Sequence, residues 1–292
     1  MFIFPLIAAL VSVVFSALLF RQYAVKGRPY QLAWSVALLM FGVASFAETI
    51  GVLNGWTEPL AKVWYLFGGT LVVGYLALGS LYISDATVAS RLVLLGVVLA
   101  ATAVMPLIIF TDEAQASEKI TAGIVFGVLY LFLIGAAILA KEQIAPIWLM
   151  ILLSGSVAAV IMLLGAPVDG RVVATQGWEA IQRSLLIRGT AVTINTFGGF
   201  ILIGAAIYSG WSLIKIKTMR ERAIGTILIG IGAMLPSLGG YIHGYFRAGG
   251  PAVLSISLTV GVTIMFIGFL QTGRASSPPK PTDAQAEANA SA

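Results

Sequence analysis

The feature that most constrains this chain is a series of nine long apolar runs separated by short polar stretches. The runs cover residues 2–20, 30–53, 61–83, 92–110, 119–140, 146–166, 190–214, 223–246 and 252–271. A helix of about 20 apolar residues crosses the hydrocarbon core of a membrane. Helices also satisfy their own backbone polar groups in lipid, and these runs are too long for barrel strands. We therefore predict an all-α polytopic transmembrane helical bundle of nine spans, folded as one domain over residues 1–271.

The scarcity of charge supports a membrane environment. Hydrophobic residues make up 59% of the 292 residues and charged residues only 10%, whereas soluble domains carry about 25% charge. A chain with so few charges cannot cover a water-facing surface, so the lipid bilayer is its predicted surrounding. We expect a multi-pass protein of the cell membrane, of the kind found in the bacterial inner membrane.

The basic residues predict the orientation. With nine spans and the N-terminus outside, 11 of the 17 Lys and Arg residues fall in inside segments and 6 in outside segments. Cytoplasmic loops carry an excess of Lys and Arg, so we predict an outside N-terminus and a cytoplasmic C-terminus. Because these residues lie in short loops between apolar runs, the net charge of +5 does not indicate a nucleic-acid partner.

Two segments are too polar to cross the membrane. Residues 167–189 form a predicted outside loop, in which Trp178–Ile187 is a candidate interfacial helix with Trp178, Ile181 and Leu185 on one face. Residues 272–292 are rich in Pro, Ala and Ser from Ala275 onward. Such a composition cannot bury enough apolar surface to fold, so we predict a disordered cytoplasmic tail.

The residue types exclude several kinds of chemistry. The chain has no cysteine and one histidine, which excludes disulfides, thiolate metal sites and any two-histidine metal motif. It also lacks the phosphate-binding loop, the HExxH sequence and the GxSxG sequence. We therefore predict no cofactor, no metal site, no catalytic residues and no enzymatic activity.

Three polar residues inside apolar runs form the candidate ligand-binding site. Glu48 lies in the second run, Asn195 in the seventh and His243 in the eighth. At 1.5 Å per residue, all three fall within about 10 Å of the outer interface. Because ionisable residues in spans are costly and usually face the bundle interior, each is a functional candidate.

The helical neighbours of these residues are small. Residues three or four positions away are mostly Gly and Ala: Ala44 and Gly51 beside Glu48, Ala191, Gly198 and Gly199 beside Asn195, and Gly239 and Gly240 beside His243. Small residues let membrane helices approach closely, so the three side chains are expected to face protein. We predict an outward-opening polar pocket between spans 2, 7 and 8, with Arg188 at its rim.

Two interpretations of these residues remain open. They form either a ligand pocket or interhelical hydrogen bonds that hold the bundle together. The functional hypothesis that we favour is a carrier or binding protein for a small or lipophilic solute, through the outward-facing polar site. The alternatives are a non-catalytic subunit of a membrane complex and a sensory module, for either of which the partner would be another membrane protein.

Overall fold

The computed structural model describes residues 2–112, 114–216, 219–246 and 250–274 of the chain. For residues 237–246, 250–252 and 273–274 it describes the backbone alone. The helices are α1 (Ile3–Lys26), α2 (Pro29–Asn54), α3 (Glu58–Leu66), α4 (Val72–Ile83), α5 (Ala86–Phe110), α6 (Ala116–Leu139), α7 (Ile144–Gly165), α8 (Val173–Gln176), α9 (Leu185–Ile214), α10 (Arg220–Phe246) and α11 (Gly250–Arg274).

These helices confirm the all-α polytopic bundle. Over the described residues, eight helical segments are long and apolar enough to cross a membrane. The 27-residue helix α10 coincides with the remaining apolar run, 223–246. In the third span, α3 and α4 are joined by the wide turn, a π-helical segment formed by Phe67–Leu71. The orientation in the membrane stays a prediction from the basic residues.

Several helices begin before the apolar runs do, because polar residues cap them. Helix α5 begins at Ala86, where the Asp85 carboxylate accepts hydrogen bonds from the backbone N–H groups of Thr87 and Val88 at 3.1 and 3.0 Å. Such a cap satisfies amides that the first helical turn leaves without partners. Polar residues therefore extend the helices into the interfacial region.

Six spans form a closed circuit of contacts. Helix α1 packs on α2, the span α3–α4 packs between α2 and α9, and α10 and α11 complete the circuit back to α1. The other three spans lie beside this circuit: α5 packs against α9, α6 packs mainly against α5, and α7 packs mainly against α4. The third and seventh spans therefore have protein neighbours on several sides.

The contact between α10 and α11 relies on paired glycines. A Cβ atom on Gly232 would lie 2.5 Å from the carbonyl oxygen of Gly261, and one on Gly268 would lie 2.5 Å from that of Gly225. Such distances leave no room for a side chain. Close backbone approach is a main source of helix association in lipid, where apolar side chains gain little by leaving the solvent.

Hydroxyl groups and aromatic rings fasten α1 to its neighbours. The Ser16 hydroxyl donates to the Ser35 carbonyl at 2.8 Å, and the Ser35 hydroxyl donates back to the Ser16 carbonyl at 3.0 Å. Toward α11, the Phe15 ring packs 5.3 Å from Phe266 and 4.8 Å from Phe269. These contacts hold the first span between the second and the last.

The segment predicted as an outside loop with an interfacial helix differs from that prediction. Residues 166–184 contain the short helix α8 and a 3₁₀ turn at Gly177–Ala180. The chain then runs extended, and Ile181 pairs with Val168 in an isolated bridge. No single helix covers Trp178–Ile187: the 3₁₀ turn ends at Ala180, and Ser184 caps α9, which starts that span at Leu185 rather than at 190. Of the predicted tail, 275–292 lies outside the described residues.

Candidate functional site

Residues 166–184 fold over one end of the bundle, which we call the capped end. The backbone N–H of Trp56 donates to the Ala174 carbonyl at 3.4 Å. The Trp56 indole occupies the space where a Cβ of Gly51 or Gly177 would lie, at 2.5 and 2.8 Å. Gly177 also has a φ of +59°, a backbone conformation that favours glycine. Both glycines are thus required for the cap to seat on α2. The capped end is the side predicted to face outside.

The Glu48 carboxylate is buried near this end and bonded through both of its oxygens. Its side chain is 8% exposed. The indole N–H of Trp64 donates to Oε2 at 3.0 Å, and the Ser255 hydroxyl donates to Oε1. A buried carboxylate needs such donors because desolvation penalises its charge. Glu48 therefore ties α2 to α3 and α11.

Trp64 links this carboxylate to a cluster of aromatic rings at the capped end. The Trp64 ring stacks on Trp178 at 5.0 Å between centroids, and Trp178 lies 6.2 Å from Tyr65. We call these three rings the aromatic platform. The guanidinium carbon of Arg183 lies 5.4 Å from the Tyr65 centroid and 5.1 Å from the Trp178 centroid. These are cation–π distances, so the platform holds Arg183 in place.

Arg188, the predicted rim residue, lies beside the same platform. Arg183 is hydrogen-bonded to the Tyr65 side chain, and Arg188 lies close enough to the same side chain for a charge interaction. The Nε atoms of both arginines are buried and have no hydrogen-bond partner among the described residues. Nearby, Lys62 forms an ion pair with Glu58 at 2.7 Å. Two guanidinium groups therefore lie near Tyr65 at the capped end.

Asn195 holds the wide turn to α9. Its Nδ2 donates to the carbonyl oxygens of Gly69 and Ala191, both at 2.8 Å. A π-helical turn leaves backbone carbonyls outside the regular helical pattern, and Gly69 lies within that turn. The Thr70 hydroxyl likewise donates to the Tyr65 carbonyl at 3.0 Å. Both N–H groups of the Asn195 amide are thus used on the backbone.

The structure does not join the predicted site residues to one another directly. Glu48 bonds to partners on α3 and α11, and Asn195 bonds to backbone atoms of the wide turn and α9. No hydrogen bond links Glu48 to Asn195 in the part of the chain described. The side chain of His243, on α10, lies outside the described residues. The predicted pocket between spans 2, 7 and 8 therefore stays a prediction.

A crevice that sequence reasoning missed opens between the third, sixth and seventh spans. It is shallow, with a cavity volume of about 10 Å³ inside about 220 Å³ of open space that extends to the surroundings. It is lined by Tyr65, Leu66, Thr70, Ala159, Met162, Leu163, Ile187 and Thr190. None of these residues is charged, so a search for ionisable groups within spans passes over them. The signal in the sequence was the pair Arg183 and Arg188, which lies just before the seventh apolar run.

Tyr65 belongs to both features. Its side chain lines the crevice, and its ring forms part of the aromatic platform beside the two arginines. The capped end thus places an apolar crevice next to the two arginines.

Among the described residues, no group of three or more His, Cys, Asp or Glu side chains is placed to hold a metal ion. Comparison with protein-family models, curated proteins and solved structures finds no match to this chain.

Proposed function

We propose that this integral membrane protein is a carrier or binding protein for a lipophilic solute, which it binds in the crevice at the capped end. The observation that carries the proposal is the crevice itself, a shallow and open depression whose walls come from three spans. Ligand sites are typically concave and mainly apolar, with a few polar groups that fix orientation. The three hydroxyl-bearing residues of the crevice, Tyr65, Thr70 and Thr190, provide such groups.

The position of the crevice favours a solute that enters from the membrane. Its walls include Leu66, Met162 and Ile187, which belong to membrane-spanning segments. A solute with an apolar chain reaches such a site by lateral movement from the lipid. The hypothesis from the sequence allowed a small or a lipophilic solute, and the crevice favours a lipophilic one.

The bonding of Glu48 supports a binding role over an enzymatic one. Both carboxylate oxygens already accept hydrogen bonds. A general acid or base must instead reach the proton that it transfers in a bound substrate. We propose accordingly that the protein binds or carries its solute without chemical conversion.

A photoactivatable neutral amphiphile tests the proposal. The purified full chain in phosphatidylcholine vesicles is labelled with hexadecanol that bears a diazirine in its chain, and the labelled residues are identified by mass spectrometry. We expect saturable labelling of crevice residues such as Met162 and Thr190. The variant Ala159→Phe fills the crevice from a buried position, whereas Ala158→Phe adds the same ring at an exposed position of α7.

The two variants give opposite results if the crevice is the site. Ala159→Phe should lower the labelling of Met162 severalfold, and Ala158→Phe should leave it unchanged. Labelling that is not saturable, or that Ala159→Phe leaves at the wild-type level, contradicts the proposal. Thermal unfolding of both variants shows whether the added ring is tolerated.

One observation favours the second candidate function, a subunit of a membrane complex. On α6, a Cβ atom added to Gly123 or Gly127 would meet nothing within 4 Å. Glycines four residues apart on an accessible helix face are a common contact site for another helix. The variant Gly127→Leu should then release a copurifying partner, whereas Gly155→Leu, also in open space, should not. A preparation with no copurifying chain and no self-association rules this candidate out.

A further inference from the structure

We propose that the junction of α9 and α10 forms a binding surface for anionic lipid headgroups, at the end of the bundle opposite the capped end. The surface consists of Trp211, Lys215, Arg220 and Arg222, which we call the basic surface. It is separate from the crevice and from the aromatic platform, and lipid binding there does not depend on the proposed function.

Helix α9 is too long to end within the hydrocarbon core of a membrane. Its 30 residues, Leu185–Ile214, extend over about 45 Å at 1.5 Å per residue, whereas the core is about 30 Å thick. The helix begins at the capped end, where the Ser184 hydroxyl accepts a hydrogen bond from the backbone N–H of Ile187 at 3.3 Å. Its last turn, which contains Trp211, therefore reaches the headgroup region of the opposite leaflet.

Trp211 has the surroundings of an interfacial tryptophan. It is 67% exposed, and the Nζ of Lys215 lies 5.5 Å from its ring centroid, which is a cation–π distance. Tyr208, one turn earlier on α9, is exposed as well. Tryptophan and tyrosine side chains concentrate at the headgroup level of membranes. Lys215, which lies beside the Trp211 ring, is therefore at the depth of the headgroups.

Arg220 and Arg222 add positive charge from the start of α10. Both arginines are exposed, and only the five residues 215–219 separate α10 from the end of α9. The two helices also pack closely, because a Cβ atom on Gly210 would lie 2.8 Å from the side chain of Ile227. This short connection keeps the two arginines near Lys215.

The basic surface has an excess of positive charge. Residues 215–222 include four basic residues and one acid, Glu221, which gives this segment a net charge of +3. Among the described residues, Lys215, Arg220 and Arg222 form no ion pair. Arg222 donates to the sulfur of Met219 at 3.7 Å, and a thioether is a weak acceptor that does not neutralise the guanidinium charge.

Within the described chain, the other acids at this end lie in different loops. The Asp85 carboxylate accepts hydrogen bonds from the backbone N–H groups of Thr87 and Val88, at the start of α5. Glu142 directly follows Lys141 in the 3₁₀ turn before α7, so that turn contains one acid and one base. The excess of positive charge at the junction of α9 and α10 is therefore not balanced within its own loop.

Anionic lipids complement both parts of this surface. Clusters of Lys and Arg at the end of a membrane helix attract anionic headgroups, and phosphate oxygens accept charge-assisted hydrogen bonds from guanidinium groups. The acyl chains would lie against the exposed apolar residues of α9, such as Ile207 and Ile214. A zwitterionic lipid brings a cation of its own to the surface, and a soluble acidic partner offers nothing to the apolar residues.

Quenching of Trp211 fluorescence by brominated lipids tests this binding. The purified full chain is reconstituted into vesicles of equal phosphatidylglycerol and phosphatidylcholine content, in which one lipid or the other has brominated acyl chains. Both leaflets contain the same lipids, so the orientation of the chain in the vesicle does not affect the result. The quenching that is lost in Trp211→Phe measures the contribution of Trp211.

We expect a preference for phosphatidylglycerol over phosphatidylcholine of about fivefold or more at Trp211. The triple variant Lys215→Gln, Arg220→Gln and Arg222→Gln should bring the ratio close to one, because each basic residue at a membrane surface contributes about fivefold, which corresponds to about 1 kcal/mol. Sodium chloride at about 0.5 M should lower the preference by screening. Lys141→Gln, an exposed base of another loop at this end, should behave as the wild type.

Several results would overturn lipid binding at the basic surface. They are equal quenching by the two brominated lipids in the wild type, an unchanged preference in the triple variant, and the same loss of preference in Lys141→Gln. Inorganic phosphate should lower the preference no more than sodium chloride of equal ionic strength, since a larger effect identifies a site for a free anion. If the triple variant does not fold, the comparison of the two lipids in the wild type decides.

Discussion

The indole N–H of Trp64 donates a 3.0 Å hydrogen bond to the carboxylate of Glu48. This contact joins the third span to the second at the capped end. The N–H donates from the edge of the indole, and a face of the same ring stacks on Trp178, in the loop that covers this end. One side chain therefore connects a buried charge within the bundle to the cap outside it.

Replacement of Trp64 by Phe should destabilise the bundle. The substitution keeps a ring for Trp178 but removes the donor to Glu48, which leaves one carboxylate oxygen without its bond. We expect a loss of about 1–3 kcal/mol, the usual cost of an unsatisfied buried group. Thermal unfolding in detergent measures it. Trp211→Phe is the matched control, because Trp211 is 67% exposed and should change stability little.

Replacement of Glu48 by Gln separates a structural role from a role in binding. The Gln amide nitrogen cannot accept a hydrogen bond, so one of the donors Trp64 and Ser255 loses its acceptor. We expect Glu48→Gln to unfold at a temperature between those of the wild type and Glu48→Ala, which loses both acceptors. Probe labelling of the crevice should remain at the wild-type level. A loss of labelling without a loss of stability would instead favour the pocket predicted around Glu48.

Replacement of Gly261 by Ala should weaken the contact between α10 and α11. The new Cβ would lie 2.6 Å from the carbonyl oxygen of Gly232, so the two backbones must separate. Overpacking of this kind costs about 1–3 kcal/mol. Gly155→Ala places its Cβ in open space on α7 and should be neutral or slightly stabilising. Equal unfolding temperatures for the two variants would show that the glycine contact is not required.

Replacement of Asn195 by Ala should loosen the wide turn. The carbonyl of Gly69 then loses a 2.8 Å hydrogen bond from the neighbouring span. Hydrogen bonds between membrane helices contribute about 0.6–2 kcal/mol, and the loss should appear as faster amide hydrogen exchange in residues 67–71. Asn54→Ala, at the exposed end of α2, is the control. Unchanged exchange in the wide turn would show that the turn holds its shape without Asn195.

The positions of the spans could be predicted because length and hydropathy alone decide which segments cross lipid. Helix ends were less predictable, since capping by Asp85 and Ser184 depends on single polar residues. The small neighbours of Glu48 correctly indicated that it faces protein, and both Ala44 and Gly51 are buried with it. Its partners were not predictable, because Trp64 has the features of a residue of the interfacial belt.

The wide turn shows why local sequence was not sufficient. The same tripeptide, Phe-Gly-Gly, occurs at 67–69 and at 197–199. The first occurrence lies in the π-helical segment, and the second lies in the regular helix α9. The two segments pack on each other, and a Cβ on Gly198 would lie 2.9 Å from the carbonyl oxygen of Val73. Tertiary packing, rather than the tripeptide, distinguishes the two conformations.

The wide turn also separates the third span into two halves that contact different neighbouring helices. One additional residue in a helical turn rotates everything beyond it by about 100° relative to a regular helix. Before the turn, Trp64 points to Glu48; after it, the carbonyl of Gly74 accepts a 3.2 Å hydrogen bond from Trp148 of α7. Deletion of a single residue between Phe67 and Leu71 would bring both halves into one helical phase, so one of the two faces would be turned toward lipid.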